Sequence, residues 1–405
     1  MQPGMLRLKL LEPKAVFIAG NIIYLALAAA GVASGVYNPP FSPSPQAVRL
    51  AAIAAVAGAI SFTLAAEAGA RLAPRDLRPL SLPAALAFTA ILAKAAAQAG
   101  ASPMLLAAAA PCLLIPFWKL EEVDSLASIA AGVALMLLGF KEAGGIPVLD
   151  ARAASLYNAS FTRAFSYTLL AFGCALWAAL EGSSVRRVAP ALLSAALLAL
   201  TGSRADQAGV LASAAASAWL SRGIGALGLV LMAVACITPL AVLEVPGWLG
   251  SYAGLKYLLY RPSTTIYSLL KLAEHAGEGA GRALFTLRGR AVVAEYVGAE
   301  AGRSIASTWF GPPLLDYGLP GVLLVLGFTG FTLGLGYGRL LRERSELRRR
   351  LLASTYSLAL AQLAICLDFG PDLAVIAGYM LLAYIYTAAR YEPGLTPRLR
   401  KLLTR

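Results

Sequence analysis

The sequence has little charge and few side chains that could bind a metal. Only 14% of its 405 residues are charged and 59% are hydrophobic, with one histidine and four cysteines. A soluble protein would carry nearer a quarter charged residues, so the composition excludes an ordinary soluble fold. The cysteines lie inside apolar runs at unrelated spacings, and no His/Cys spacing fits a metal site. We therefore expect neither a disulfide framework nor bound zinc.

Nucleotide-binding patterns are also missing, since the chain has no P-loop and no glycine-rich dinucleotide fingerprint. The net charge of +13 would suit a nucleic-acid partner. However, the basic residues lie mostly in short segments between apolar runs, where they report membrane orientation. We expect no cofactor, no metal and no nucleic acid.

The apolar residues cluster into runs of roughly 15–25 residues, the length that crosses a bilayer as a helix. We predict an all-α integral membrane protein with about twelve transmembrane helices, folded as one polytopic domain over residues 1–405. The predicted spans are roughly residues 15–34, 46–67, 82–98, 103–118, 124–140, 161–181, 187–202, 206–220, 223–247, 311–338, 351–369 and 372–389.

Basic residues predict the orientation. With the N-terminus inside, the inner segments include the basic run at 339–350 and the C-terminal tail, whereas the short outer loops hold only Lys141, Arg152, Arg163 and Arg204. We predict a multi-pass plasma-membrane protein with both termini in the cytoplasm.

Residues 249–310 form a large predicted extracytoplasmic loop with seven basic residues. Long loops cross the membrane largely regardless of their positive charge, so these basic residues do not contradict the predicted orientation. Within the loop, "PSTTIYSLLKLAEHAG" begins with proline and a Ser/Thr cap, and "GRAVVAEYVGAEAG" has helical spacing. Both segments are predicted to form short helices on the outer interface.

The stretch "TGSRADQ" places Arg204 and Asp206 between two apolar runs. Ser203 followed by Asp206 is a capping-box pattern, so one interpretation is a capped outer turn with a solvated arginine. The other is an anion site, because a helix N-terminus and an arginine both favour phosphate. The two interpretations are compatible.

The large loop supplies further candidates for an electropositive cavity suited to a pyrophosphate. Solvated loop arginines are common, but these lie on the same predicted face as Arg204. The outer segment "KEAGGIPVLDAR" adds Arg152. The complete set of candidate substrate-binding residues is Arg152, Arg204, Tyr260, Arg261, Arg288, Arg290, Arg303 and Thr308.

Two residues compete for the role of general base. His275 lies on the predicted loop helix. A lone histidine there is usually a surface residue without a catalytic role, but in a cavity that faces outward it could act as a general base. Asp316 lies near the outer end of a glycine-rich span, where it is costly if buried but is also explained as a helix cap. The neighbouring glycines Gly327, Gly330, Gly334, Gly336 and Gly338 predict close helix packing.

Three segments together resemble the Wzy-type oligosaccharide repeat-unit polymerases and the related O-antigen ligases. They are "GGIPVLDAR", "TGSR" before a span, and "DYGLPG" at Asp316–Gly321 after the large loop, so the resemblance covers roughly residues 140 to 340. It implies a GT-C-like membrane glycosyltransferase. Such an enzyme transfers a polyprenyl-diphosphate-linked oligosaccharide onto another lipid-linked unit at the outer face, and a chain-length regulator is an implied partner.

The resemblance leaves alternatives open. The ligases place a histidine shortly before the span that follows the large loop, but Ile305 to Ser307 occupy that position here, which argues against a ligase-like glycosyltransferase. A transporter or flippase for lipid-linked sugars would be expected to show paired interrupted spans, which are not evident. A structural subunit would not need clustered outer arginines.

Overall fold

The computed structural model describes residues 9, 11–38, 42–73, 119–120, 122–158, 160–181, 184–221, 255–286, 289–298, 307–365 and 390–391. The described chain is helical apart from β1 (Lys119–Leu120), which pairs in parallel with β2 (Arg390–Tyr391). A short 3₁₀ turn covers Ala199–Thr201. The α-helices are α1 (Pro13–Ala33), α2 (Pro45–Leu72), α3 (Glu122–Ala143), α4 (Ala151–Asn158), α5 (Phe161–Leu180), α6 (Ser184–Leu198), α7 (Arg204–Ser221), α8 (Leu255–Ala273), α9 (Gly289–Val297), α10 (Gly311–Arg342) and α11 (Glu346–Ile365).

The predicted spans that fall on described residues coincide with α1, α2, α3, α5, α6, α7, α10 and α11. By length and apolar composition, α1, α2, α3 and α10 can each cross a bilayer, and a shorter apolar helix covers Phe165–Leu180. The helical fold is therefore confirmed, whereas the span count and the GT-C-like arrangement stay predictions. The predicted spans 82–98, 103–118, 223–247 and 372–389 lie outside the described residues.

The described helices pack in two groups. In the first, α2 packs along α10, and α8 contacts α1, α2, α9 and α10. In the second, α5 contacts α3, α6 and α7. α11 joins the groups, because it packs on α5 and α7 and also on α1 and α10.

Small residues hold α2 and α10 together, as the glycine pattern predicts. A Cβ atom at Gly330, Gly334 or Gly338 would overlap the backbone carbonyl of Phe62, Ala66 or Ala70, respectively. The two sets of residues repeat every fourth position, so each helix presents one narrow face to the other. In lipid, such close backbone approach stabilises helix pairs through van der Waals contact.

Helix α8 begins earlier than predicted. The predicted start was Pro262, but the helix begins at Leu255 and contains Pro262 in its interior. Packing against α1 explains the difference, because Gly31 lets the carbonyl of Leu259 approach closely and Ser263 Oγ donates to Ala28 O at 3.0 Å. Helix α9 forms where the sequence predicts it.

A matched pair of alanine substitutions tests the α2–α10 contact. Gly334→Ala should destabilise the protein by about 1–3 kcal/mol, because the new methyl group meets a backbone carbonyl that cannot rotate away. Gly327→Ala is the control, since its Cβ would meet only the side-chain oxygen of Ser61. Both variants gain the same helix propensity. Reversible unfolding in detergent measures the difference, and equal stability of the two variants would contradict the packing argument.

Candidate functional site

Two of the sequence segments singled out above meet at one end of the second helix group. The segment "GGIPVLD" follows α3 and leads into α4, and Val148 N donates to Leu200 O at 3.0 Å. Leu200 lies in the 3₁₀ turn immediately before "TGSR". This backbone bond places the glycine-proline segment directly against the arginine-bearing turn.

The conformation of "TGSR" explains its residue types. Gly202 has a φ of 69°, in the left-handed region that favours glycine. Thr201 Oγ1 donates to Leu198 O at 2.6 Å and accepts from Ser203 N at 3.1 Å. Ser203 Oγ then accepts from Asp206 N at 3.3 Å, which caps α7. The predicted N-cap is therefore present.

The carboxylate of Asp206 does not complete a capping box but pairs with Arg163 on α5. Arg163 Nε donates to Asp206 Oδ2 at 2.9 Å, and Nη2 donates to Oδ1 at 3.0 Å and to Ser203 Oγ at 3.0 Å. The two side chains are only 13% and 10% exposed. A bidentate pair in this environment fixes the geometry of the turn firmly. In the sequence, Arg163 is interpreted only as a basic residue of an outer loop. Its position inside an apolar run, where a charge needs a partner, is the signal that could have identified it.

Arg204 is buried, with 5% of its surface exposed. The interpretation of a solvated turn arginine is therefore wrong. Arg204 is the first residue of α7 and follows the turn whose Leu200 O accepts from Val148 N. Arg163 and Arg204 carry two positive charges and Asp206 one negative charge, so these three side chains together are cationic. We call Arg163, Ser203, Arg204 and Asp206 the arginine turn.

Tyr157 on α4 is a neighbour of the arginine turn that sequence reasoning missed. Its side chain is buried and meets Phe140 edge-on, with ring centroids 5.2 Å apart. Burial, and then the negative charge of Asp206, raise the pKa of Tyr157 to about 12. The phenol is therefore neutral at physiological pH and is suited to hydrogen bonding rather than to accepting a proton from a sugar.

Asp316 anchors the large loop to α10. Its Oδ1 accepts from Ala283 N at 3.1 Å and its Oδ2 accepts from Leu284 N at 2.7 Å, and only 2% of the residue is exposed. Two further backbone bonds, from Gly277 N to Leu314 O and from Gly279 N to Leu315 O, run alongside. The carboxylate thus acts as an acceptor for the turn at 277–284.

The rest of "DYGLPG" shapes the same contact. Gly318 breaks α10 with a φ of 63° and a ψ of −153°, and the helix continues beyond this break with Pro320 inside it. Gly321 allows that helix to pass the carbonyl of Pro313, where a Cβ would lie 2.5 Å away. On the loop side, Gly281 has a φ of 83°, and a Cβ there would lie 2.5 Å from Tyr317 Oη. The motif and the glycine-rich turn fit each other, and we call this contact the loop latch.

His275 lies in a polar cluster on the large loop. Its Nδ1 is 2.9 Å from Glu278 Oε2, and its ring centroid is 5.3 Å from that of Tyr296. Tyr296 Oη donates to Glu278 O at 3.3 Å, and Arg282 pairs with Glu295 at 3.1 Å. The carboxylate of Glu278 favours a proton on Nδ1, which leaves Nε2 as the imidazole nitrogen that can accept one.

The remaining candidates lie at several places in the fold. Arg152 is exposed on α4, where its backbone N donates to Asp150 Oδ1 at 2.8 Å. Tyr260 and Arg261 are half-buried on α8, and the ring of Tyr260 lies 5.7 Å from that of Tyr37. Arg290 is half-buried on α9. Arg288 and Arg303 lie outside the described residues.

Thr308 is 2% exposed just before α10, beside the equally buried Ser307. Neither hydroxyl has a hydrogen-bond partner among the described residues. Buried hydroxyls are usually satisfied, so an unsatisfied pair is typical of a position that a water or ligand completes.

The structure gathers the candidates at two places. Arg204 and Arg152 belong to the second helix group, in which α7 packs on α5, α6 and α11. Tyr260, Arg261, His275, Arg290, Thr308 and Asp316 belong to the large loop and the helices around it in the first group. Within the described ranges, no cluster of three or more His, Cys, Asp or Glu side chains could hold a metal ion.

A protein-family model described as "Putative O-antigen polymerase" matches residues 11–379 of the chain. The match includes the arginine turn, the large loop and the loop latch. Searches of curated proteins and of solved structures gave no match.

The loop latch makes a local prediction. In Asp316→Ala, the N–H groups of Ala283 and Leu284 lose their acceptor, which should weaken the contact by about 1–3 kcal/mol. Amide hydrogen exchange at residues 277–286 should become faster. Asp316→Asn should have a smaller effect, because its amide retains one acceptor oxygen.

Glu295→Ala is the matched control for the latch. It removes a carboxylate that is 65% exposed and pairs with Arg282 near the same turn. Exposed pairs contribute little, so exchange in the turn should stay near that of wild type. Unchanged exchange in Asp316→Ala would show that the carboxylate does not hold the loop.

Proposed function

The chain belongs to the O-antigen polymerase family, and on that premise we propose that it is a membrane glycosyltransferase that lengthens a lipid-linked glycan. The donor is an oligosaccharide on a polyprenyl diphosphate, and the acceptor is a second lipid-linked unit. The bond between the donor's anomeric carbon and the diphosphate breaks, and a bond to an acceptor hydroxyl forms. The lipid diphosphate leaves with its electron pair, and the hydroxyl proton passes to a base.

The observation that carries the proposal is the arginine turn. Arg163 is held in a fixed orientation by Asp206 and Ser203, and Arg204 is buried at the N-terminus of α7. Removal from water strengthens electrostatic interactions. Preorganised donors in such an environment stabilise negative charge that develops on a leaving group. Arg204 is therefore the chief diphosphate ligand in this proposal, with Arg163 positioning the turn.

The other basic and hydroxyl side chains serve as helpers on the two substrates. Arg152 lies on the segment that contacts the arginine turn. Tyr260, Arg261, Arg290 and Thr308, together with Arg288 and Arg303, supply donors for the glycan and the second diphosphate. Because guanidinium groups provide the positive charge, the proposed reaction needs no metal ion. The site faces the extracytoplasmic side, as the distribution of basic residues predicts.

Of the two predicted bases, His275 has the more suitable geometry. Both carboxylate oxygens of Asp316 already accept backbone N–H groups in a buried position. His275 instead has a half-exposed side chain, and its Nδ1 faces a carboxylate. That arrangement leaves Nε2 able to accept the proton of an attacking hydroxyl. We therefore propose His275 as the base and Glu278 as its positioning residue.

Reconstitution with a lipid-linked oligosaccharide tests the role of Arg204. Wild-type protein should produce longer glycans, and Arg204→Ala should lower the rate of joining by about 100- to 1,000-fold, as expected for loss of a preorganised donor to the leaving group. Arg204→Lys should retain part of the activity, because it keeps the charge but not the planar fork. Glycan length and thermal stability are measured on the same preparations.

Arg186→Ala is the matched control, because Arg186 is exposed at the opposite end of the same helix group. It should leave glycan length unchanged. Undiminished joining by a folded Arg204→Ala protein would overturn the assignment. Movement of the lipid-linked sugar across liposomes without joining would favour a transporter instead.

A second experiment tests the base. His275→Gln should lower the joining rate by about 100- to 10,000-fold, the usual range for general base catalysis. Its KM should change little, because a general base acts on the chemical step and not on substrate binding. Glu278→Gln should lower the rate less than His275→Gln, because its amide keeps one acceptor oxygen for the imidazole N–H. Joining at the wild-type rate by a folded His275→Gln protein would assign the base to another group.

A further inference from the structure

Residues 339–350, which cover the end of α10, the turn after it and the start of α11, contain six arginines that fall into two sets. Arg339 pairs with Glu343 at 2.9 Å, and Arg350 pairs with Glu346. Arg342 donates from Nη1 to Ala73 O at 2.7 Å and from Nη2 to Arg71 O at 2.9 Å. Arg339 and Arg350 therefore stabilise the segment through ion pairs within it, and Arg342 binds it to the end of α2.

The other three arginines do not hold the fold. Arg344, Arg348 and Arg349 are exposed, and their side chains make no hydrogen bond or ion pair with the part of the chain that the structure describes. We call them the free arginines of the turn.

Their position is electrostatically unfavourable for the helix. Arg348 and Arg349 lie in the first turn of α11, where the helix dipole favours negative charge. They also repel one another and the neighbouring Arg350. Helix stability therefore does not explain them. They agree with the basic residues expected on the inner side of a membrane, where a negatively charged surface would supply the opposite charge.

The surroundings indicate what that partner is. The turn directly follows the apolar helix α10, which is long enough to cross a bilayer. Leu341 and Leu347, which flank the turn, are 48% and 40% exposed. Exposed leucines beside arginines at the end of a membrane helix are typical of a segment at the headgroup level. A soluble acidic partner would not explain the leucines.

We propose that Arg344, Arg348 and Arg349 bind the headgroups of anionic phospholipids at this end of the membrane domain. The surface recognises charge rather than a single headgroup, because the three side chains are exposed and not fixed by neighbours. Binding tethers the α10–α11 turn to the bilayer and offsets the repulsion among its arginines. This inference concerns the end of α10 remote from the loop latch and does not depend on the proposed reaction.

The test uses the full chain in bilayers of phosphatidylcholine alone or mixed with phosphatidylglycerol. The anionic lipid should raise the Tm of wild type, and added salt should abolish the rise because it screens exposed charges. In the triple variant R344Q/R348Q/R349Q, the rise should be lost. Comparing the two bilayers for each variant separates lipid binding from any change in folding.

Two controls decide between charge at this turn and other causes. Arg282→Gln, which removes an exposed arginine of the large loop, should retain the rise, and R344K/R348K/R349K should retain it because lysine keeps the charge. Loss of the rise in Arg282→Gln, which leaves Arg344, Arg348 and Arg349 in place, would show that the effect does not belong to this turn and would overturn the proposal. A rise that survives in the triple glutamine variant, or that inorganic phosphate reproduces in the neutral bilayer, would overturn the proposal.

Discussion

The structure depends on one constraint: polar groups at the ends of apolar helices need partners of their own. Water is excluded along a membrane helix, and an unpaired charge or N–H group there is costly. At the start of α7, the carboxylate of Asp206 pairs with Arg163 of α5. Near the start of α10, the carboxylate of Asp316 accepts hydrogen bonds from two backbone N–H groups of the large loop. At the end of α10, the guanidinium of Arg342 donates to the carbonyls of Arg71 and Ala73. Each contact joins segments that are distant in the sequence.

This constraint gives different meanings to residues that look alike in the sequence. Asp206 and Asp316 are both acidic residues at the start of a helix, and both suggest a cap. Asp206 instead orients an arginine, which creates a cationic turn, whereas Asp316 binds neutral N–H groups and fixes a loop. A cationic buried turn favours an anionic ligand, but a carboxylate satisfied by backbone groups has little to offer a substrate. The charge of the partner therefore separates a binding role from an anchoring role.

The sequence predicts the helices well because their signals are local. Apolar run length locates the described spans, and repeated glycines predict that α10 packs closely on another helix, but they do not identify α2 as that helix. Helix α8 shows the limit, because Pro262 marks a helix start by local rules while packing on Gly31 and Ala28 extends the helix beyond it. The candidate site was harder to predict, since Arg163 and Asp206 are separated by 43 residues. No spacing rule joins two residues that far apart, and no local pattern shows that Arg204 is buried.

The two places where the candidates gather suit a reaction with two large substrates. In the proposed reaction the enzyme holds two lipid diphosphates at once, and a single cationic pocket would place their negative charges against each other. The arginine turn and the large loop belong to different helix groups, and α11 packs on both groups. If each diphosphate binds at one of these two places, the repulsion between them is reduced, and α11 links the two places. In that proposal the loop latch acts on the reaction indirectly, because it anchors the loop that carries His275 to α10.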